Sequence, residues 1–150
     1  MEQLLILKLH KYITENNPDL LLELQQHNAV TGYLESKVAG IMTLMEELFE
    51  QGQSAYEIEE QCLEELTADL RPSRYLYIRE ILAEEFEPEY VRLLDTGLIV
   101  FELLNLVQSC KSVFEELGFT SENEDDRHLR YAITGAIKEY FETRAVTTEN

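Results

Sequence analysis

Leucine, isoleucine, valine and methionine recur along this chain at intervals of three and four residues, the spacing that lines one face of an α-helix. The clearest run is Val30, Leu34, Val38, Ile41, Met45 and Leu48, closed by Gly52, and it predicts one long helix. Before it, Leu5, Leu9, Tyr12 and Ile13 define a helix that ends at Asn16-Asn17-Pro18, because proline disfavours helical geometry at the residue preceding it. Asn17 is then placed to cap a short helix opened by Pro18. Ser54-Ala55-Tyr56-Glu57 is a capping box; behind it Ile58, Cys62, Leu66 and Leu70 fall inward, with Glu59, Glu60, Glu64 and Glu65 largely outward.

Arg71-Pro72-Ser73 interrupts the pattern; Ser73 or Pro72 opens the next helix, with Tyr75, Ile78, Leu82 and Phe86 on its core face, and Glu87-Pro88 breaks it again. The segment from Glu89 to Leu117 holds the most apolar stretch, Leu98 to Phe101 with Leu103-Leu104, and predicts a central helix buried on more than one side. Gly97 bends that helix or admits a close neighbour, and Gly118 caps it. A polar loop from Thr120 to Asp126 leads to a last helix capped by Asp125 or Asp126, with Leu129, Ile133, Ile137 and Phe141 inward. Residues 145–150 are small and polar and are expected to fray. No stretch alternates with the period of a strand. The expectation is an all-α fold: a single domain over 1–150, a bundle of about six helices.

Composition adds limits. A chain of 150 residues buries roughly 68–70% of its unfolded surface, so it needs neither metal nor disulfide to hold a core. Cys62 and Cys110 both sit in helical pattern and outside any C-x-x-C pair, which makes them small buried hydrophobes with free thiols. The N-terminus lacks a basic segment with a cleavage site, and no apolar run approaches the ~20 residues that span a bilayer. A cytoplasmic location and no membrane association are expected.

Charge changes the picture more. Thirty acidic residues face 12 Lys and Arg, a formal charge of −18. Such a field repels phosphate backbones, so direct nucleic-acid binding is not expected, and it attracts basic proteins and divalent cations.

Three stretches carry a family resemblance: Leu9-His-Lys-Tyr-Ile-Thr-Glu-Asn-Asn-Pro-Asp-Leu20, Leu63 to Phe86 with Arg71-Pro-Ser-Arg-Tyr-Leu-Tyr-Ile-Arg-Glu-Ile-Leu82, and Ile133-Thr-Gly-Ala-Ile-Lys-Glu-Tyr140. They resemble an uncharacterised all-helical family, a domain of unknown function found in anaerobic Bacteroidetes, often on conjugative-transposon-type mobile elements. The resemblance implies the fold class and a bacterial, mobile-element setting, and no activity. Where that family usually has a histidine before the proline of the first corner, this chain has Asn17.

Candidate chemistry is sparse. Glu47-x-x-Glu50 and Glu57-x-x-Glu60 resemble the first half of a Mg²⁺-binding motif of all-α nucleotide pyrophosphohydrolases. The Glu-x-x-Asp helix that completes the motif does not follow at the usual distance, and in so acidic a chain such pairs arise by chance. No cofactor is expected otherwise, and no catalytic residue is assigned. His10, His27 and His128 show no metal-ligand spacing. The charge reverses only from Arg71 to Arg79, where Arg71, Ser73, Arg74, Tyr77 and Arg79 form a candidate anion-binding patch. The competing account, favoured here, has Arg74 and Arg79 neutralising glutamates on neighbouring helices, with the tyrosines half buried. The acidic surface itself serves solubility, docks a basic protein, or imitates the phosphates of DNA toward a DNA-binding protein. The nearly contiguous Leu4, Leu5, Ile6, Leu7 and Leu9 leave a homodimer open, with the first helix as its contact. The favoured function is a small protein-interaction or accessory module, with the metal-dependent nucleotide hydrolase as the alternative.

Overall fold

A computed structural model describes the backbone of residues 1–149 and the side chains of 1–144; the expected frayed tail lies outside the residues described with side chains. The fold is all-α. Its helices are α1 (Glu2–Asn16), α2 (Pro18–Gln26), α3 (Val30–Ala39), α4 (Met42–Glu50), α5 (Ala55–Thr67), α6 (Arg74–Glu85), α7 (Glu87–Thr96), α8 (Ile99–Ser109), α9 (Lys111–Leu117) and α10 (Arg127–Glu149), with a 3-10 turn at Ala68–Leu70.

The helices outnumber the six or so expected because two long runs are broken. The run from Val30 to Leu48 is two helices: Gly40 closes α3, and Ile41 leaves helical geometry at φ −109°, ψ 9° before α4 begins. Val38 and Ile41 stay buried on both sides of the break, so the three-and-four spacing passes through it unaltered. The segment from Glu89 to Leu117 lies in three helices. Gly97 neither bends a helix nor admits a neighbour; it takes φ 75°, and the N–H of Leu98 reaches back to the Leu93 carbonyl at 3.0 Å, the closure that ends α7. A second break falls at Cys110, φ −91° and ψ 0°.

Contacts group the chain into two compact units, Met1–Arg71 and a second from Pro72 onward. In the first, α1 packs against α2, α3 and α5, and α4 against α5. Leu5, Leu9, Ile13, Leu34, Val38, Ile41, Leu48, Ile58, Cys62 and Leu66 form its buried cluster. Asn17 does not cap α2. Its amide donates to the Leu70 carbonyl at 3.2 Å, tying the first corner to the turn that follows α5. In the second unit α6 packs against α7, α8 and α10, and α10 against α8 and α9. Its cluster centres on Ile78, Ile81, Leu82, Leu103, Leu106, Phe114, Leu129, Ile133 and Ile137.

Several local signals hold as the sequence places them. Ser54 and Glu57 close a reciprocal capping box, Ser73 caps α6 by accepting the Leu76 N–H at 3.2 Å, and Asp126 accepts the His128 N–H at 3.0 Å at the start of α10. Cys62 and Cys110 are buried free thiols. A Ser54→Ala variant loses the side-chain acceptor for an otherwise orphaned helix N–H. Urea denaturation should register a loss of about 1 kcal/mol with an unchanged slope; a variant as stable as the wild type would mean the box contributes nothing.

Candidate interaction surface

Of the side chains in the candidate anion patch, Arg71, Ser73 and Arg74 have partners close by. Arg71 wraps back on the end of its own helix, its guanidinium donating to the carbonyls of Thr67 at 3.3 Å and Glu64 at 3.2 Å. There it satisfies orphan carbonyls and complements the negative end of the helix dipole. Arg74 lies over the Phe114 ring, 5.1 Å from its centroid, and the Ser73 hydroxyl is taken by the cap. The Tyr77 ring packs edge-on against Phe114 and Phe119 at 5.9 and 5.0 Å between centroids. Its hydroxyl is buried without a hydrogen-bond partner, and burial, aided by the nearby acids Asp126, Glu80 and Asp125 and opposed by Arg130, holds its pKa above the ordinary tyrosine value. Arg79 is half-buried and has no carboxylate within ion-pair distance among the described residues. The favoured account, arginines neutralising glutamates, therefore needs amendment. Arg74 lies over an aromatic ring, and neither it nor Arg79 forms an ion pair with a glutamate among the described residues. Arg130, which the sequence did not single out, bridges Glu84 at 2.6 Å and Glu85 at 3.5 Å.

The carboxylates of the hydrolase alternative do not converge. Among the described residues no group of three or more His, Cys, Asp and Glu side chains is arranged to hold a metal ion, so Glu47, Glu50, Glu57 and Glu60 are not assembled as ligands. Glu57 is already engaged, accepting the Ser54 N–H at 3.2 Å in the capping box. Glu47, Glu50 and Glu60 are exposed helix-face residues. Glu102 is the buried carboxylate among the described residues, 6% exposed, and its Oε1 has two partners. It accepts the Tyr140 hydroxyl and pairs with Arg144 at 3.2 Å, fixing α10 to α8.

Two grooves lie on the first unit. One, about 500 Å³, collects Lys8, Lys11 and Arg71 with Tyr12 and Thr67, but Glu15 and Glu64 share its walls, Lys8 pairs with Glu59, and Arg71 is held by carbonyls. Its charge is largely cancelled. The other, about 450 Å³, runs between α4 and the start of α5, lined by Met1, Met45, Phe49, Ala55 and Ile58 with Glu46 and Glu50 on its edge. Phe49 is 75% exposed.

That second groove gives a context to an anomaly in the sequence. Glu46, Glu47 and Glu50 crowd the last turns of α4, where the helix dipole disfavours carboxylates, and no basic residue offsets them there. Local stability cannot have selected them. Glu46 and Glu50 are also lining residues of the groove, so its apolar floor has an acidic margin.

The first helix was offered as a dimer contact through its leucines. Leu5 and Leu9 are fully buried inside their own unit, while Leu4 and Leu7 remain 40% and 68% exposed. No helix among the described residues is long and apolar enough to cross a membrane. No curated protein and no solved structure matches the chain. The likeness carried by the first corner, the Arg71 region and the last helix extends to nearly the whole sequence: the family model for the domain of unknown function DUF1896 matches residues 4–146, and the chain belongs to that family.

Proposed function

We propose that this protein is a binding module whose α4–α5 groove takes a basic amphipathic helix of a partner protein. The observation that carries the proposal is the apolar groove of Met45, Phe49 and Ile58 edged by Glu46 and Glu50. A helix laid into such a groove places one or two large apolar side chains on the floor and its Lys or Arg residues against the acidic margin. Methionine suits a floor that must accept different side chains, since its unbranched thioether repacks at little cost. The net charge of −18 draws a basic partner from a distance, and the groove selects it at contact. Such a module fits an accessory role in the cytoplasm of a bacterium carrying a mobile element. A phosphate-like stripe for a DNA-binding protein is less well supported, because Lys8 and Lys37 neutralise Glu59 and Asp69 on the same unit.

The test is a titration with a labelled amphipathic peptide carrying Lys at its polar positions and Leu at three-and-four spacing. Saturable binding that weakens with salt is expected. It should fall about 5- to 30-fold in Glu46→Lys and in Phe49→Ala, the range of a lost charge pair or apolar anchor. Equal binding of a peptide with the same charge and scrambled leucines would reduce the effect to bulk attraction and defeat the proposal.

A further inference from the structure

The stretch Leu98–Phe101, expected at the centre of the protein, is the main departure of the structure from the sequence pattern. Leu98, Val100 and Phe101 are 51%, 47% and 59% exposed, and on the adjoining α7 Val91 and Leu94 are 45% and 43% exposed. On α8, Leu103, Leu106 and Val107 turn into the core, which leaves Phe101, Leu104 and Gln108 on the opposite, outward face. Between Asp95 and Lys111 the one charged residue is Glu102, and its carboxylate is buried against Tyr140 and Arg144. The outward face of α8 is thus free of charge on a chain whose formal charge is −18.

We infer that this face is where a second copy of the chain docks, by a two-fold contact of α8 against α8. In a two-fold contact each patch meets its own charge distribution, so a strongly acidic protein repels itself wherever the patch holds unpaired carboxylates. The α8 face holds none. Its α7 edge carries Arg92 and Asp95 and, a turn before Val91, Glu87, all three exposed and without an ion-pair partner among the described residues. Arg92 and Asp95 are self-complementary, since a two-fold brings each within range of the other's counterpart. A basic partner finds carboxylates only on the α7 edge, with Arg92 between Glu87 and Asp95, whereas the α4–α5 groove is edged by glutamates with no basic residue beside them. An anionic membrane surface is repelled by the net charge and meets no lysine cluster. Phe101, a large aromatic at the middle of the patch, is the anchor on which such contacts depend.

Sedimentation equilibrium of the full chain, from about 1 to 500 µM, reads this directly. The mass should rise from that of the 17.5 kDa chain toward twice that value. It should rise further at higher salt, because screening relieves the residual repulsion between two −18 copies. Phe101→Glu places a carboxylate on each side of the axis and should weaken association roughly 30-fold or more while leaving the helical signal and melting temperature unchanged. The double exchange Arg92→Asp with Asp95→Arg preserves self-complementarity and should still dimerise. A wild type that stays monomeric throughout the range overturns the inference, and so does a dimer that Phe101→Glu leaves intact.

Discussion

A Phe114→Ala variant unfolds about 3–5 kcal/mol more easily than the wild type, the cost of emptying a buried aromatic site that cannot fully collapse. Phe114 is 1% exposed. Its ring meets Tyr77 and Phe119 at 5.9 and 4.9 Å between centroids, and the Arg74 guanidinium covers it at 5.1 Å. Truncation removes the shared partner of all three. Urea denaturation followed by circular dichroism measures the loss, with Phe49→Ala as the contrast. Phe49 is 75% exposed, so its truncation should change stability by no more than about 0.5 kcal/mol. Similar losses in the two variants would contradict the burial that separates them.

Alkaline conditions are the second large lever. Burial pushes the Cys110 thiol from 9.0 up to about 11, and burial also raises Cys62. Below pH 9.0 the folded and unfolded chains both keep this proton, and stability does not depend on it. Between 9.0 and about 11 the unfolded thiol ionises while the folded one does not, so the unfolded state binds fewer protons and stability falls as pH rises. Cys110 alone accounts for about 2–3 kcal/mol of that loss. Tyr77 and Tyr140, raised above 10.0 by burial first and by neighbouring carboxylates second, extend it upward in pH. Chemical denaturation at intervals from pH 8 to pH 11 should show the decline. Cys110→Ala starts lower, because it leaves a small cavity, but should lose less over the same interval. Parallel curves for the two proteins would mean that the thiol does not titrate as its burial requires.

These two effects rest on residues that the sequence marked unequally. Cys110 is legible as a buried small hydrophobe because it falls in helical pattern away from any paired cysteine. Phe114 is not singled out by spacing. The aromatic cluster joining it to Tyr77 and Phe119 brings together α6, α9 and the loop beyond it, and no periodic signal links side chains so far apart in the chain. The candidate surface divides in the same way. The glutamates at the end of α4 are adjacent in sequence, but the groove beside them needs Ala55 and Ile58 from the next helix. The arginine patch shows the reverse relation of sequence to structure. Adjacent positions in sequence suggest a shared site, while Arg71 is held by carbonyls and Arg74 by an aromatic face, and Arg79 has no ion-pair partner among the described residues.

What the sequence by itself determined is local in origin. Three-and-four spacing fixed the all-α class, proline fixed the first corner by excluding helical geometry at the residue before it, and Ser54, Ser73 and Asp126 fixed the starts of three helices through hydrogen bonds within one turn. Tertiary structure alone decided the rest. A helix break of one residue keeps apolar side chains facing the same way, so the pattern ran unbroken through Ile41 and Cys110. Hydrophobicity is a property of a residue and burial a property of its neighbours. That difference left Phe101 exposed on a charge-free face, placed Glu102 beneath it in a satisfied ion pair, and gathered the apolar residues into two buried clusters.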